Sequence, residues 1–134
     1  KWDERFRIIK KLIKLRKDQN IRVRLLMKSG CIEYWLMLHK KYYVPPLQSV
    51  AEKEKVIADL KAAEPLYEKG NKAITAKIAE NYPTAVKNAE RTMKRLLQDG
   101  LPGLEDTDER NQWLCRNCKT FSNVYEAIEY LQSL

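Results

Sequence analysis

The sequence predicts an all-α single domain, a bundle of about five to seven helices with little or no β-structure. Apolar residues recur every three or four positions in most segments, which is the spacing of one helix face. Two segments have the pattern of a capping box, Ser49–Glu52 and Asn123–Glu126. The chain of 134 residues also holds only 4 Gly and 5 Pro, so long stretches contain no helix breaker.

The first predicted helix covers about residues 3–17. Phe6, Ile9 and Ile13 recur on one face and are predicted to face the core, with further apolar residues alongside. Acidic residues in the first turn and basic residues in the last turn suit the helix dipole. This segment is therefore predicted to be an amphipathic helix with a strongly basic exposed face.

The next segment, Ile21 to Leu25, alternates apolar and basic residues, as a strand does. A strand here has no evident partner elsewhere in the chain, so we expect a second helix, capped by Asn20 and ended by Gly30. The density of apolar residues predicts a third helix from about Cys31 to Tyr43.

A capping box, two prolines and a glycine indicate where the remaining helices begin and end. The Ser49 capping box starts one, Pro65 kinks or divides it, and a helical pattern resumes at Ala73. Pro83 suits the first turn of the next helix, and Gly100 closes it. The predicted domain therefore has basic N-terminal helices in 1–44, central helices in 49–99, an acidic loop in 100–108 and C-terminal helices in 109–134.

Charge is distributed unevenly in this chain of net charge +8. Residues 1–50 hold 13 Lys and Arg against 4 Asp and Glu, whereas residues 101–134 hold 3 against 6. Such polarity indicates either an anionic partner at the basic end or internal docking of one end on the other.

A basic N-terminal surface is the main candidate for a binding site. Lys and Arg side chains replace condensed counterions on a phosphate backbone, and a tyrosine ring beside them can stack on an unpaired base. The same pattern is also typical of the solvated face of an ordinary amphipathic helix. The candidate nucleic-acid-binding residues are Arg7, Lys10, Lys14, Lys17, Arg22, Arg24, Lys28, Lys40, Lys41 and Tyr42.

The function predicted from these residues is a non-enzymatic module that binds the phosphate backbone of DNA or RNA. The alternative is a protein-interaction or scaffold domain, excised from a larger protein, that docks on an acidic protein surface. The first residue, Lys1 in place of Met, and the charge polarity favour that alternative. A catalytic role finds no support, because the single histidine lacks a paired nucleophile motif and no P-loop, HExxH or GxSxG sequence occurs.

Cys115 and Cys118 form a CxxC pair, which is half of a zinc site, and Cys31 and His39 are the only other Cys or His. On one continuous helix Cys31 and His39 are separated by about 12 Å, too far to share a zinc ion. We therefore expect buried apolar cysteines, with no metal and no cofactor.

The compartment follows from the odd number of cysteines, three, which predicts a reducing intracellular environment: the nucleus, the cytosol or the mitochondrial matrix. Lysines interrupt every apolar run near the N-terminus, so neither a signal peptide nor a transmembrane segment is expected.

Overall fold

The computed structural model describes residues 2–17, 19–21, 23–117 and 119–134, with Trp2 and Lys17 described by their backbone alone. Over these residues the chain forms helices without any strand, which confirms the all-α prediction. None of the described helices has the length and apolar content needed to cross a bilayer. The α-helices are α1 (Trp2–Lys17), α2 (Ile32–Leu38), α3 (Val50–Ala63), α4 (Lys72–Ala79), α5 (Tyr82–Leu96), α6 (Asp108–Arg116) and α7 (Tyr125–Gln132).

The core is built around α2, which packs against α3, α4 and α5. Every residue of α2 after Ile32 is buried. On α5, the buried face includes the small residues Ala85 and Ala89, which allow a close approach of neighbouring helices, and Met93. Helix α7 also packs on α5. The central helices thus form the hydrophobic centre to which the remaining segments attach.

Local signals in the central region behave as predicted. The Glu52 N–H donates to Ser49 Oγ at 3.1 Å, and the Ser49 N–H donates to Glu52 Oε1 at 2.9 Å, which completes the capping box. Helix α3 ends two residues before Pro65, and Pro83 lies in the first turn of α5. Gly100 ends the 3₁₀ turn that follows α5 with a φ of +108°, a conformation that favours glycine.

The predicted second helix, over about residues 21–29, is wrong. None of its described residues is helical, and Lys28 forms an isolated antiparallel bridge with Ser122. The Ser29 N–H donates to the Phe121 carbonyl at 2.9 Å. Backbone pairing is thus found at residues 27–29, and the partner is a short segment near the C-terminus. We call residues 23–29 the extended segment.

The second predicted capping box, Asn123–Glu126, is also wrong. The Asn123 side chain accepts from the Met27 N–H and donates to the Leu25 carbonyl, so it binds the extended segment and does not cap a helix. Helix α7 begins at Tyr125 without a side-chain cap. The Asn123 side chain therefore stabilises a tertiary contact with the extended segment, and not the first turn of a helix.

Helix α2 ends five residues before Tyr43, where the sequence pattern predicted the end of the third helix. The N–H groups of Lys40 and Lys41 both donate to the Met37 carbonyl, so the last turn tightens and the chain leaves the helix. The basic-aromatic cluster of residues 39–43 consequently lies in a turn beyond α2 and not on a helix face.

Helix α1 lies at the periphery and packs mainly on α6. Of its predicted core stripe, Phe6 is buried and Ile9 and Ile13 are half-buried. Three further apolar residues are about half exposed: Ile8 (52%), Leu12 (48%) and Leu15 (53%). We call these three the apolar stripe of α1.

Candidate nucleic-acid interface

Three of the predicted phosphate-binding cations are held by carboxylates of the chain itself. Such pairing lowers the positive charge that these side chains offer to a nucleic acid. The pairs are Lys10 with Asp108 (3.1 Å), Arg24 with Glu126 (3.3 Å) and with Asp106 (3.5 Å), and Lys40 with Glu64 (2.9 Å).

Arg7 and Lys14 remain exposed on α1, and neither makes an ion pair within the described residues. With Lys11 they follow one another at spacings of four and three, so the three cations share one stripe of the helix. Lys28 is exposed, and its ammonium lies 3.4 Å from the Gly30 carbonyl. The Lys17 side chain and Arg22 lie outside the described part of the chain.

The basic-aromatic turn after α2 makes two ring contacts. The Lys41 ammonium lies 5.2 Å from the centre of the Tyr43 ring. The Arg91 guanidinium lies 4.0 Å from the centre of the Tyr42 ring, which is half-buried. The second contact joins the predicted aromatic residue Tyr42 to helix α5, because a cation over a ring face is attracted by its quadrupole.

Helix α5 presents a basic surface that sequence reasoning missed. Its solvent side carries four exposed cations, none of which forms an ion pair with a described residue. The signal was present, because these residues recur every three or four positions opposite the buried stripe. We call this surface the basic face of α5; its residues are Lys87, Arg91, Lys94 and Arg95.

Two cavities adjoin the basic face of α5. The first, of about 370 Å³, is lined on this helix by Arg95 and across from it by Tyr42 and Lys119. The second, of about 490 Å³, is lined by Lys94 and by residues of α7. The cations of α5 therefore stand between two concave regions that both contain tyrosine.

A buried arginine fixes α7 and the acidic loop beside the second cavity. Arg110 is 0% exposed, and its guanidinium donates to Glu126 at 2.5 Å and to the Leu104 carbonyl at 2.7 Å. It also pairs with Asp106 at 3.3 Å. The Arg110 contacts thus hold α7 and the acidic loop together within the C-terminal third, and the Arg24 pairs attach both to the N-terminal part of the chain.

The residues of the zinc hypothesis are not brought together where the structure describes them. Cys31 and His39 flank opposite ends of α2, and the His39 Nδ1 lies 2.9 Å from the Trp35 carbonyl oxygen. Burial lowers the pKa of His39. Cys115 Sγ lies 3.5 Å from Met27 Sδ. The described residues contain no group of three or more metal-binding side chains, and Cys118 lies outside them.

Comparison with known proteins places the chain in a family. No curated protein and no solved structure matches it. A family model described as RloB-like protein matches residues 1–131, which is nearly the whole length. The chain therefore belongs to the RloB-like protein family.

Proposed function

We propose that this chain is a non-enzymatic module that binds the phosphate backbone of nucleic acid through the basic face of α5. The observation that carries the proposal is that four exposed cations share one helix face and form no ion pair in the described chain. The predicted cations Arg7 and Lys14 on α1, with Lys11, add a second stripe that phosphates can reach.

The dimensions of the basic face suit a nucleic-acid strand. Residues 87–95 rise about 12 Å along the helix axis. One strand of B-form DNA carries a phosphate charge about every 3.4 Å along its axis, so the face spans three or four phosphates. Burial of the opposite side of α5 in the core holds these cations on a fixed scaffold, which limits the entropy lost on binding.

The burial of the single histidine, His39, favours a binding role over catalysis. His39 is buried at the end of α2, beside the Trp35 carbonyl and ring. A general base must reach its substrate within hydrogen-bonding distance, and a ring in this position faces the protein interior.

The proposal is tested with fluorescence anisotropy, using labelled single-stranded and duplex DNA and RNA at several salt concentrations. The triple variant Lys87→Gln, Arg91→Gln, Arg95→Gln should bind at least about tenfold more weakly at low salt. Its salt dependence should also flatten by about one unit of log–log slope per lost phosphate contact.

A matched control removes the same charge elsewhere, with Lys61→Gln, Lys69→Gln and Lys72→Gln on exposed positions in and near α3 and α4. This control should lose less than about threefold in affinity. Equal losses in the two triple variants, or no binding by the parent chain, would contradict a phosphate site on α5.

We propose protein binding as a second candidate function, supported by the apolar stripe of α1. Ile8, Leu12 and Leu15 are about half exposed, and Lys11 borders them. Contiguous exposed apolar residues bordered by cations suit an acidic amphipathic helix, whose apolar face covers the stripe while its carboxylates pair with the cations.

The second candidate is tested with a synthetic 20-residue helical peptide that has one leucine face and otherwise glutamate. Leu12→Glu should abolish binding of this peptide, whereas Val50→Glu, at a still more exposed apolar position on α3, should not. Self-association of the chain, or binding to anionic lipid vesicles in place of the peptide, would assign the stripe to a different occupant.

A further inference from the structure

The cavity between α5 and α7 continues from the basic face of α5, because Lys94 belongs to both. Its volume of about 490 Å³ lies in the usual range for small-molecule sites, and it is far too small for a duplex. Besides Lys94 it is lined by the carboxyl groups of Glu90 and Glu129, the phenols of Tyr125 and Tyr130, and the Arg24 guanidinium.

Tyr125 is the first feature that points to a ligand. The residue is only 6% exposed, yet its hydroxyl makes no hydrogen bond to a described residue. The hydroxyl oxygen itself is not fully enclosed, so it can be reached from the cavity that Tyr125 lines. Burial and the nearby carboxylates, Glu126 and Glu129 foremost, raise the pKa of Tyr125, so the hydroxyl keeps its proton and remains a donor. The cavity therefore offers a hydrogen-bond donor to a ligand that carries an acceptor.

The carboxyl pair is the second feature. A hydrogen bond between Glu90 and Glu129 is the main cause that raises the pKa of Glu129 to about 7. By contrast, Glu126 on the same helix is engaged by Arg110 and Arg24. Glu90 and Glu129 form no ion pair within the described residues, so the carboxyl oxygens that do not join the two residues can accept N–H donors from a ligand.

We propose that this cavity binds the unpaired guanine base of a single strand whose phosphates lie on the basic face of α5. The proposal rests on the nucleic-acid binding proposed above and adds the base that is read. Guanine presents two neighbouring N–H donors, N1–H and the N2 amino group, which one carboxylate accepts together. Its adjacent O6 accepts from the Tyr125 hydroxyl.

The other bases match this set of groups less well. The hydrogen-bonding edges of adenine and cytosine place an amino donor beside a ring-nitrogen acceptor, and above pH 7, where Glu129 is ionised, that acceptor meets a carboxylate unfavourably. Uracil and thymine present one N–H between two carbonyl oxygens, so one carboxylate oxygen lacks a donor. Lys94, which lines the cavity and also belongs to the basic face of α5, supplies the charge for the adjoining phosphate, so base and backbone are bound by neighbouring groups.

The experiment measures anisotropy of the full chain with labelled twelve-nucleotide thymidine strands that carry dG, dA, dC or dT at one central position. The strand with dG should bind about tenfold more tightly than the others, as expected for one well-paired base. Glu90→Gln, Glu129→Gln and Tyr125→Phe should each reduce this preference to within about twofold. The all-thymidine strand should still bind to the three variants, because the cations of α5 remain intact.

Glu54→Gln on α3 is the matched control, because it removes a carboxylate from an exposed position outside the cavity, and it should keep the preference. Thermal unfolding of each variant verifies that it is folded. Equal binding of all four strands by the parent chain overturns guanine recognition and leaves the phosphate site standing. A parent chain that binds no strand overturns both proposals.

Discussion

Helices α1 and α2 have similar apolar periodicity but are held in different ways. Every residue of α2 after Ile32 is buried, whereas only Phe6 is buried among the described side chains of the sixteen-residue α1. Helix α1 is joined to α6 by exposed ion pairs, Arg116 with Asp3 at 2.6 Å and Lys10 with Asp108 at 3.1 Å. An amphipathic pattern thus predicts a helix in both cases but does not determine how deeply the helix is buried.

This difference has an energetic consequence. Exposed ion pairs contribute about 0–1 kcal/mol each, whereas a fully buried leucine or methionine contributes several times more. The stability of the chain should therefore come from α2, α3, α5 and the buried pairs around α7. Helix α1 should therefore tolerate substitution, and residues on its exposed surface can serve binding at little cost in stability.

The largest expected effect concerns a buried ion pair compared with one on α1. Arg110→Met leaves the buried Glu126 carboxylate with only the Arg24 guanidinium, so it should cost about 3–5 kcal/mol in the free energy of unfolding. Lys10→Met breaks the exposed pair with Asp108 and should cost less than about 1 kcal/mol. Urea denaturation followed by circular dichroism measures both, and similar losses would show that α1 is part of the cooperative core.

A second test compares two leucines. Leu38→Ala, at a fully buried position of α2, should cost about 2–5 kcal/mol because it leaves a cavity. Leu12→Ala, in the apolar stripe of α1, should change the free energy of unfolding by about 0.5 kcal/mol or less. The comparison fails if Leu12→Ala destabilises the chain as much as Leu38→Ala, since α1 would then have a buried partner in solution.

Sequence reasoning succeeded where the signal is local. Ser49 and Glu52 lie three residues apart, and their hydrogen bonds need nothing from the rest of the chain. It failed at Ile21–Leu25, because the residues that pair with this segment lie near the C-terminus. Asn123 donates to the Leu25 carbonyl across 98 positions of sequence, and no local pattern specifies that contact.

In the candidate site too, some features follow from local sequence and others depend on tertiary structure. The cations of α5 recur at helical spacing and could have been found from the sequence alone, whereas the Glu90–Glu129 pair depends on the packing of α5 against α7. Likewise, the sequence identifies Arg24 as a cation, but its partners Asp106 and Glu126 are brought beside it by tertiary structure.

A third test examines how the extended segment is attached to the bundle. Asn123→Ala removes the acceptor for the Met27 N–H and the donor to the Leu25 carbonyl, at a cost of about 1–3 kcal/mol. Amide hydrogen exchange should accelerate over residues 23–29 while the amides of α2 and α5 stay protected. Uniform acceleration throughout the chain would instead mean that this segment and the bundle unfold together.

The smallest expected effect concerns Glu129, where the extended segment meets the bundle. Arg24 of the extended segment and the bundle residues Glu90 and Glu126 all influence the pKa of Glu129. The Glu129 pKa is about 7 in the folded chain, against 4.5 for an ordinary glutamate. Between these values the folded chain keeps a proton that the unfolded chain has released, so stability falls as pH rises from about 4.5 to 7. Glu129 is exposed, and solvent screening keeps the effect small.

Glu129→Gln removes this titrating group, and the melting temperature of the variant should therefore fall less between pH 5 and pH 8 than that of the parent. Glu54→Gln serves as the control and should follow the parent. Arg24→Gln should steepen the decline, because the positive charge of Arg24 lowers the pKa of Glu129 and its loss raises that pKa further. A parent and a Glu129→Gln variant with parallel pH profiles would show that Glu129 titrates as an ordinary surface carboxylate, unaffected by the charge that the N-terminal region brings to the cavity.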